Sequence, residues 1–262
     1  MTLEFSVIGT GLLGPGLADW TDGQAALRDP SAWQQAPTVV PAPERLPAPE
    51  RRRAGAVVKA TIVVADQALA ACGLDPATLA TVFTASTGDP LNCHLLCEAL
   101  ATTVRLVSPT RFTNSVHNAA AGYWHIAAQS RAPSTSLAAY DASFAAGLLE
   151  AAVQCAATGA PVLLVACDVP YPEPLHAIRP VADVFALAMV IAPAGEGRRV
   201  QLAIAGDAAA TVCGDAALES LRRGIAAARS LPLLQALAGL APAEVVVEGL
   251  SGQSLFVKVA AA

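Results

Sequence analysis

Charged residues are scarce in this chain of 262 residues, since Asp, Glu, Lys and Arg together make up only 14% of it. Positive charge is scarcer still, with 16 Lys and Arg against 21 Asp and Glu, and no extended basic stripe is present. Because phosphate contacts supply most of the affinity of nucleic-acid-binding proteins, this absence excludes a nucleic-acid surface. The one basic cluster, Arg51, Arg52 and Arg53 with Lys59, is either a solvated helix start or a docking patch for an acidic partner.

Long apolar runs are also absent, although 54% of the residues are hydrophobic. Gly, Pro, Gln or a charge interrupts every candidate before it reaches the roughly 18 consecutive apolar residues of a membrane span. The N-terminal residues lack the basic start of a secretory signal, so we expect a cytoplasmic protein. The excess of apolar residues instead predicts a surface that needs covering by a partner.

Metal-binding and redox motifs are missing as well. The six cysteines stand in apolar or helical contexts, which indicates buried packing residues more than disulfides. Cys93, His94 and Cys97 lie close together, but no second pair of ligands follows at zinc-site spacing. We therefore expect no metal and no cofactor.

Predicted strands and helices alternate along most of the chain, which indicates an α/β fold with a buried sheet. A first strand at residues 5–8 is expected to enter a loop that Gly9 and Gly11 bend repeatedly, and a proline-rich arm covers residues 29–50. No linker divides the chain, so we expect a single domain over residues 1–262. The other predicted elements are helices at 52–72, 91–102, 115–130, 143–157 and 215–228, and strands at 81–85, 135–139, 161–167, 184–191, 200–204, 244–247 and 254–259.

Three segments resemble the β-ketoacyl synthases of the thiolase-like superfamily. They are Ile8-Gly9-Thr10-Gly11, residues 113–122 (TNSVHNAAAG) and residues 133–143 (PSTSLAAYDAS). The resemblance implies a thiolase-like, layered α-β-α-β-α fold, in which residues 1–190 form the N-terminal half and residues 191–262 a shortened C-terminal half. In size and form the chain is similar to the small chain-length-factor-type subunits of bacterial type II pathways for aryl polyene pigments.

The catalytic residues of that family are not intact in this sequence. The resemblance places Asp141 where the family has a nucleophilic cysteine at a helix start, and a carboxylate is a poor acyl acceptor. It also places Glu248 at the first of two family histidines, and neither the second histidine nor the family lysine has a counterpart. The resemblance thus implies a pseudo-enzyme. Taken by itself, Asp141 also suits the N-cap of the following helix.

The partner follows from the same resemblance. Such subunits pair with an active β-ketoacyl synthase, which receives acyl groups from an acyl carrier protein. The pairing edge strand would comprise Ser136, Leu137, Ala138, Ala139 and Tyr140, and Phe112, Tyr140 and Phe144 would line or close a shared acyl tunnel. An exposed edge strand is a liability unless another chain pairs with it, which agrees with this arrangement. Arg51 to Arg53 would then be the candidate docking patch for the carrier protein.

Two alternatives stay open. The first is an acyl thioester hydrolase or other acyl-processing enzyme that uses Asp141 or Ser143, with His117 and His125 on the preceding helix, although no Gly-x-Ser-x-Gly motif supports it. The second is a homodimeric acyl-binding scaffold.

Overall fold

One mixed β-sheet of eight strands runs through residues 2–262, the part of the chain that this computed structural model describes. The strands are β1 (Thr2–Leu13), β2 (Ala80–Thr84), β3 (Ser134–Leu137), β4 (Val162–Asp168), β5 (Phe185–Pro193), β6 (Arg198–Ile204), β7 (Ala243–Val247) and β8 (Leu255–Val259). The helices are α1 (Trp20–Arg28), α2 (Ala48–Arg53), α3 (Ala56–Cys72), α4 (Pro90–Ala101), α5 (Pro109–Thr113), α6 (Ala119–Ala128), α7 (Ser143–Thr158), α8 (Leu175–Ile178), α9 (Ala216–Gly224) and α10 (Leu231–Ala238).

The strands lie in the order β3-β2-β4-β5-β1-β6-β8-β7. β2 runs parallel to β3 and to β4, and the other neighbouring strands are antiparallel. The mixed α/β order predicted from the sequence is confirmed. The C-terminal residues add β6, β8 and β7 to the same sheet, and β3 and β7 form its two edges.

Helices cover the sheet on both faces and divide the core into two clusters. On one face, α3 and α6 bury a cluster around Ile62, Trp124 and Val190. On the other face, α1, α7 and α10 cover a cluster around Phe5, Leu148 and Leu234. α7 approaches the sheet closely because its inward positions are small.

The first strand is longer than the sequence analysis expected. Gly9 and Gly11 do not bend the chain but lie inside β1, where the α3 helix crosses the strand. A Cβ at Gly9 would stand 2.1 Å from the Ala68 carbonyl oxygen, and one at Gly11 would stand 2.0 Å from that of Val64. The prediction of a loop at these glycines was wrong, because they allow a helix backbone to touch the strand.

Two helix predictions also needed correction. The helix expected at residues 52–72 is interrupted near Gly55, where a Cβ would stand 2.1 Å from an Asp89 carboxylate oxygen. The helix expected at residues 215–228 ends at Gly224, and a further helix, α10, follows it. α10 is buried and apolar on nearly all sides. Its sequence therefore lacks the polar face by which a surface helix is recognised.

The proline-rich arm is irregular, as predicted, apart from a 3-10 turn at Pro30–Ala32 and the start of α2. Among the helices of residues 2–262, none has the length and apolar character needed to cross a membrane.

Candidate functional site

The turn between β3 and α7 is the centre of the candidate site. Residues Tyr140–Ala142 form a 3-10 turn that leads directly into α7. The buried Ser143 hydroxyl accepts a hydrogen bond from the Ala139 N–H (3.0 Å) and donates one to the Tyr140 carbonyl (2.7 Å). These bonds fix the turn and hold Tyr140 at φ 54°, in the left-handed region that few non-glycine residues adopt.

Both carboxylate oxygens of Asp141 are bound by arginines from distant parts of the chain. Arg179, after α8, donates from Nη2 to Oδ1 at 2.6 Å, and Arg229, in the turn before α10, donates from Nη2 to Oδ2 at 3.0 Å. The two arginine side chains are 16% and 11% exposed, whereas Asp141 is 41% exposed. The N-cap prediction for Asp141 was wrong, because Ala142 precedes α7 and no side chain caps this helix.

Glu248, just after β7, lies at the other side of the Arg229 guanidinium. Arg229 Nη1 forms an ion pair with Glu248 Oε2, and Arg222 Nη1 lies 3.3 Å from the same oxygen. A single arginine therefore joins Asp141 to Glu248. These are the two positions at which the resemblance implies substituted catalytic residues, and the fold brings them together.

A pair on α9 completes the cluster. Arg222 donates from Nε and Nη2 to the two carboxylate oxygens of Glu219, each at 2.7 Å. The Arg222 hydrogen bonds lower the pKa of Glu219 to about 2. Guanidinium groups and carboxylates thus alternate in what we call the charge network, formed by Arg179, Asp141, Arg229, Glu248, Arg222 and Glu219.

Arg179 also stacks on aromatic rings. Its guanidinium carbon lies 3.6 Å from the centroid of the Tyr140 ring and 5.9 Å from that of Tyr171. Tyr140 is 63% exposed, whereas Tyr171 is 5% exposed and its hydroxyl lies 2.9 Å from Ser86 Oγ. Arg179 therefore stacks on the exposed Tyr140 ring and lies near the buried Tyr171 ring.

A buried carboxylate, that of Asp168 at the end of β4, links this arrangement to the core of the fold. It accepts hydrogen bonds from the Ser86 N–H (2.8 Å), the Ser86 hydroxyl (2.5 Å) and the Ala227 N–H (2.7 Å). Burial raises the pKa of Asp168, although these donors oppose the shift. Ala227 begins the turn that carries Arg229, so Asp168 fixes the position from which Arg229 reaches Asp141.

The comparison with known families decides what this fold is. The sequence matches the family model described as β-ketoacyl synthase, N-terminal domain, over residues 22–239. The chain belongs to the β-ketoacyl synthase family. No curated protein matches it significantly.

Solved structures show that the synthase fold extends over the whole chain. The complex of the ketosynthase ApeO with its chain length factor ApeC from Xenorhabdus doucetiae matches with a TM-score of 0.75 at 21% identity, over 97% of this chain and 99% of that chain. The ishigamide ketosynthase/chain length factor matches with a TM-score of 0.72 at 14% identity, over 99% of both chains. A complex of AntDE with the type II acyl-carrier protein AntF matches with a TM-score of 0.76 at 12% identity, over 100% of both chains. The thiolase-like α/β fold predicted from the sequence is confirmed.

The expected edge strand of the synthase fold lies at an edge of the sheet, but it is shorter than predicted. Of the five residues named for it, Ser136 and Leu137 lie in β3, and Ala138 and Ala139 follow it. The strand stops because the Ala139 N–H bonds the Ser143 hydroxyl, and Tyr140 has a positive φ that no strand contains.

The two phenylalanines expected to line a tunnel lie in different environments. Phe112, on α5, is 66% exposed. Phe144, in the first turn of α7, is 1% exposed and belongs to the core under that helix. Phe144 therefore packs the core of this chain, and Phe112 is available to a neighbour.

An open groove of about 470 Å³ runs beside β3. It is lined by His117, Asn118, Ala121, Gly122, His125, Ser134 and Ser136. The neighbouring segment of residues 90–118 is mostly exposed, and Pro90 is the one buried residue of α4. Its exposed apolar side chains are Leu91, Leu100, Val104, Leu106, Phe112 and Val116.

The hydrolase alternative finds no support in the geometry. The Ser143 hydroxyl is buried and bonds backbone groups of its own turn, with a longer contact of 3.4 Å to Ala85. His117 Nε2 lies 3.5 Å from the Ala85 carbonyl, and His125 Nδ1 bonds the Ser130 carbonyl. In the part of the chain described, neither histidine is hydrogen-bonded to Ser143.

The remaining candidate residues lie at the surface, away from the charge network. Cys93 and Cys97 are exposed thiols on α4, and His94 pairs with Glu98 at 3.3 Å. Between residues 2 and 262, no cluster of three or more His, Cys, Asp or Glu could hold a metal ion. Arg51, Arg52 and Arg53 form the end of α2, and the first two line a shallow groove with Lys59.

Sequence reasoning missed the arginines of the charge network. Arg179, Arg222 and Arg229 come from three segments that no motif connects, and each resembles an ordinary surface arginine in the sequence. The one available signal was that two carboxylates, Asp141 and Glu248, stand where the resemblance implies a cysteine and a histidine. Two carboxylates brought to one site repel each other unless cations lie nearby.

Proposed function

We propose that this chain is a non-catalytic, chain-length-factor-like subunit that pairs with an active β-ketoacyl synthase. Asp141 carries the proposal. It stands where the resemblance implies the nucleophilic cysteine, and both of its oxygens are bound by Arg179 and Arg229. A carboxylate is a weaker acyl acceptor than a thiolate, and each oxygen of this one accepts a hydrogen bond from an arginine.

The difference between the two edges of the sheet supports the placement of a partner at β3. The edge at β7 is covered by the chain itself, because the Thr211 N–H bonds the Val246 carbonyl (2.9 Å) and the Thr211 hydroxyl accepts from the Val246 N–H (2.8 Å). In residues 2–262, no comparable segment bonds the outer edge of β3. Since native proteins cover or pair such edges, we place the partner strand against β3.

The exposed apolar segment of residues 90–118 adds area to the same interface. An apolar helix such as α4 is stable in water only when something covers it. The groove beside β3 is bounded by His117 and Asn118, at the end of this segment. We therefore propose that the partner covers this segment and β3 together, and that the exposed Phe112 faces an acyl tunnel between the two subunits.

The partner and pathway are inferred by analogy. ApeC is the chain length factor of ApeO, and AntF is an acyl-carrier protein in complex with its ketosynthase. We propose the same assembly here, in a cytoplasmic fatty-acid/polyketide-type pathway of the aryl polyene class, with the carrier protein docking at Arg51 to Arg53 or on the synthase itself. Residues 191–262 then act as a shortened C-terminal half that closes the sheet.

Co-expression with candidate ketosynthases from the same genome tests the proposal. We expect a stable heterodimer in size-exclusion chromatography, product of defined length from the pair, and no condensation by the chain alone. Ser136→Lys should abolish the complex and leave the chain folded, because a lysine on the strand edge opposes pairing. The matched control, Gln201→Lys, changes an exposed residue of β6 away from this edge. The proposal would be refuted if the chain, purified without a partner, condensed or hydrolysed acyl thioesters. It would also be refuted if the chain formed a homodimer that does not bind the synthase.

A further inference from the structure

We propose that Tyr140, held by Arg179, is a preorganised anchor of the interface with the partner synthase. This inference rests on the proposed function, since it places a residue within the partner interface at β3. It assigns Arg179 as a positioning residue, whose effect on pairing is exerted through the Tyr140 ring.

The conformation of Tyr140 is the first observation. At φ 54°, Tyr140 lies in the left-handed region that few non-glycine residues adopt, so something in the fold must enforce it. The Ser143 hydroxyl fixes the Tyr140 carbonyl, and the Arg179 guanidinium lies 3.6 Å from the ring centroid. The backbone and the ring are thus both held, although the ring is 63% exposed.

Arg179 is itself held by a second set of contacts. Its Nη2 bonds Asp141 at 2.6 Å, and its guanidinium carbon lies 5.9 Å from the ring centroid of the buried Tyr171, whose hydroxyl contacts Ser86. The side chain is only 16% exposed. A flexible arginine would not fix the position of a surface ring. An arginine held by contacts to Asp141 and Tyr171 keeps the Tyr140 ring in place before any partner binds.

The location of Tyr140 indicates that its ring contacts the subunit whose strand pairs with β3. Tyr140 follows the end of β3 by three residues, at the sheet edge that residues 2–262 leave open. Tyrosine and arginine are among the residues enriched at binding hot spots, and a side chain ordered in advance loses less entropy on binding. A strained, exposed and immobilised tyrosine at this point is therefore suited to contact with a second subunit.

Arg229 supplies the matched control. It binds the same carboxylate, Asp141, at 3.0 Å, but within residues 2–262 its guanidinium pairs with carboxylates and stacks on no aromatic ring. If Arg179 acts only by neutralising Asp141, replacing either arginine should have the same effect on pairing. If Arg179 acts through Tyr140, replacing it alone should weaken pairing.

The test is the Kd of the complex between the purified chain and the ketosynthase with which it co-purifies on co-expression. We expect Tyr140→Ala and Arg179→Ala each to weaken binding about tenfold or more, and Tyr140→Phe to change it little. In the Tyr140→Ala background, Arg179→Ala should have no further effect, as a double-mutant cycle reveals. Arg179→Lys keeps the charge beside Asp141 without the flat stacking surface, so it serves if Arg179→Ala fails to fold, and it should also weaken binding.

Three results would overturn the inference while the complex still forms. The first is that Arg179→Ala lowers the affinity equally in the wild-type and the Tyr140→Ala backgrounds. The second is that Arg229→Ala lowers the affinity as much as Arg179→Ala does. The third is that every variant has an unchanged Kd, even if the length of the product changes. If the wild-type chain forms no complex, the proposed function fails, and this inference fails with it.

Discussion

Replacing Asp141 by cysteine tests whether the charge network has replaced a catalytic centre. The variant restores the residue that the resemblance implies, but it leaves Arg179 and Arg229 facing a neutral thiol. Removing one partner of a buried ion pair costs about 3–5 kcal/mol, whereas exposed pairs are worth no more than about 1 kcal/mol. Because Asp141 is 41% exposed and both arginines are mostly buried, we expect an intermediate loss of about 2 kcal/mol. For a chain of this size that corresponds to a fall in Tm of about 4–8 °C.

Thermal unfolding followed by circular dichroism measures this loss, and mass spectrometry after incubation with an acyl thioester detects any acylated thiol. We expect a destabilised protein that does not condense acyl groups, since no histidine stands at the Glu248 position. The matched control is Asp22→Cys, which places a thiol at an exposed aspartate without an ion pair and should change Tm little. Asp141→Cys with unchanged Tm and restored condensation would refute the reasoning, because the network would then be dispensable and the synthase chemistry still latent.

Three further predictions follow from particular contacts. Because the folded-state pKa of Glu219 is about 2, against its usual 4.5, the stability it contributes is complete above about pH 4.5 and is lost as pH falls towards 2. Glu219→Gln should therefore flatten the stability curve there by at most about 1.4 kcal/mol per pH unit, measured by urea unfolding at several pH values. Gly11→Ala should destabilise by about 3 kcal/mol through its clash with a helix carbonyl, whereas Gly122→Ala, with open space around it, should be neutral or slightly stabilising. Asp141→Asn and Glu248→Gln should each be mild, but together they should cost about 1 kcal/mol or more beyond their sum in denaturant unfolding, because the arginine they share then keeps no anion.

The order of strands and helices could be predicted from the sequence because it depends on local signals. Alternating apolar residues, alanine-rich helical segments and glycine stops identified most elements of the sheet and its layers. The helix predicted at residues 143–157 is the buried α7, whose small residues allow a close approach to the sheet. At Gly147 a Cβ would stand 2.7 Å from Thr84 and 3.1 Å from Leu164.

The errors occurred where one residue type serves two purposes. A glycine signals either a turn or a close backbone approach, and Gly9 and Gly11 could be assigned to the second only once α3 was seen to cross β1. Likewise, an aspartate at a helix start suits an N-cap, and only the fold shows that Asp141 is directed at two arginines. Such contacts join residues far apart in the chain, and no local pattern records them.

The charge network explains why the substitutions at Asp141 and Glu248 belong together. Arg229 is 11% exposed, and it carries one charge that both carboxylates contact. With a thiol and an imidazole at these positions, as the resemblance implies for the active synthases, a buried guanidinium between them would lack a counter-ion. With only one carboxylate, the guanidinium would be half satisfied, and its Nε already has no partner within the chain described. The two carboxylates therefore share the neutralisation of Arg229, so that one can be lost at modest cost while the other remains, and only the loss of both leaves the guanidinium without a counter-ion.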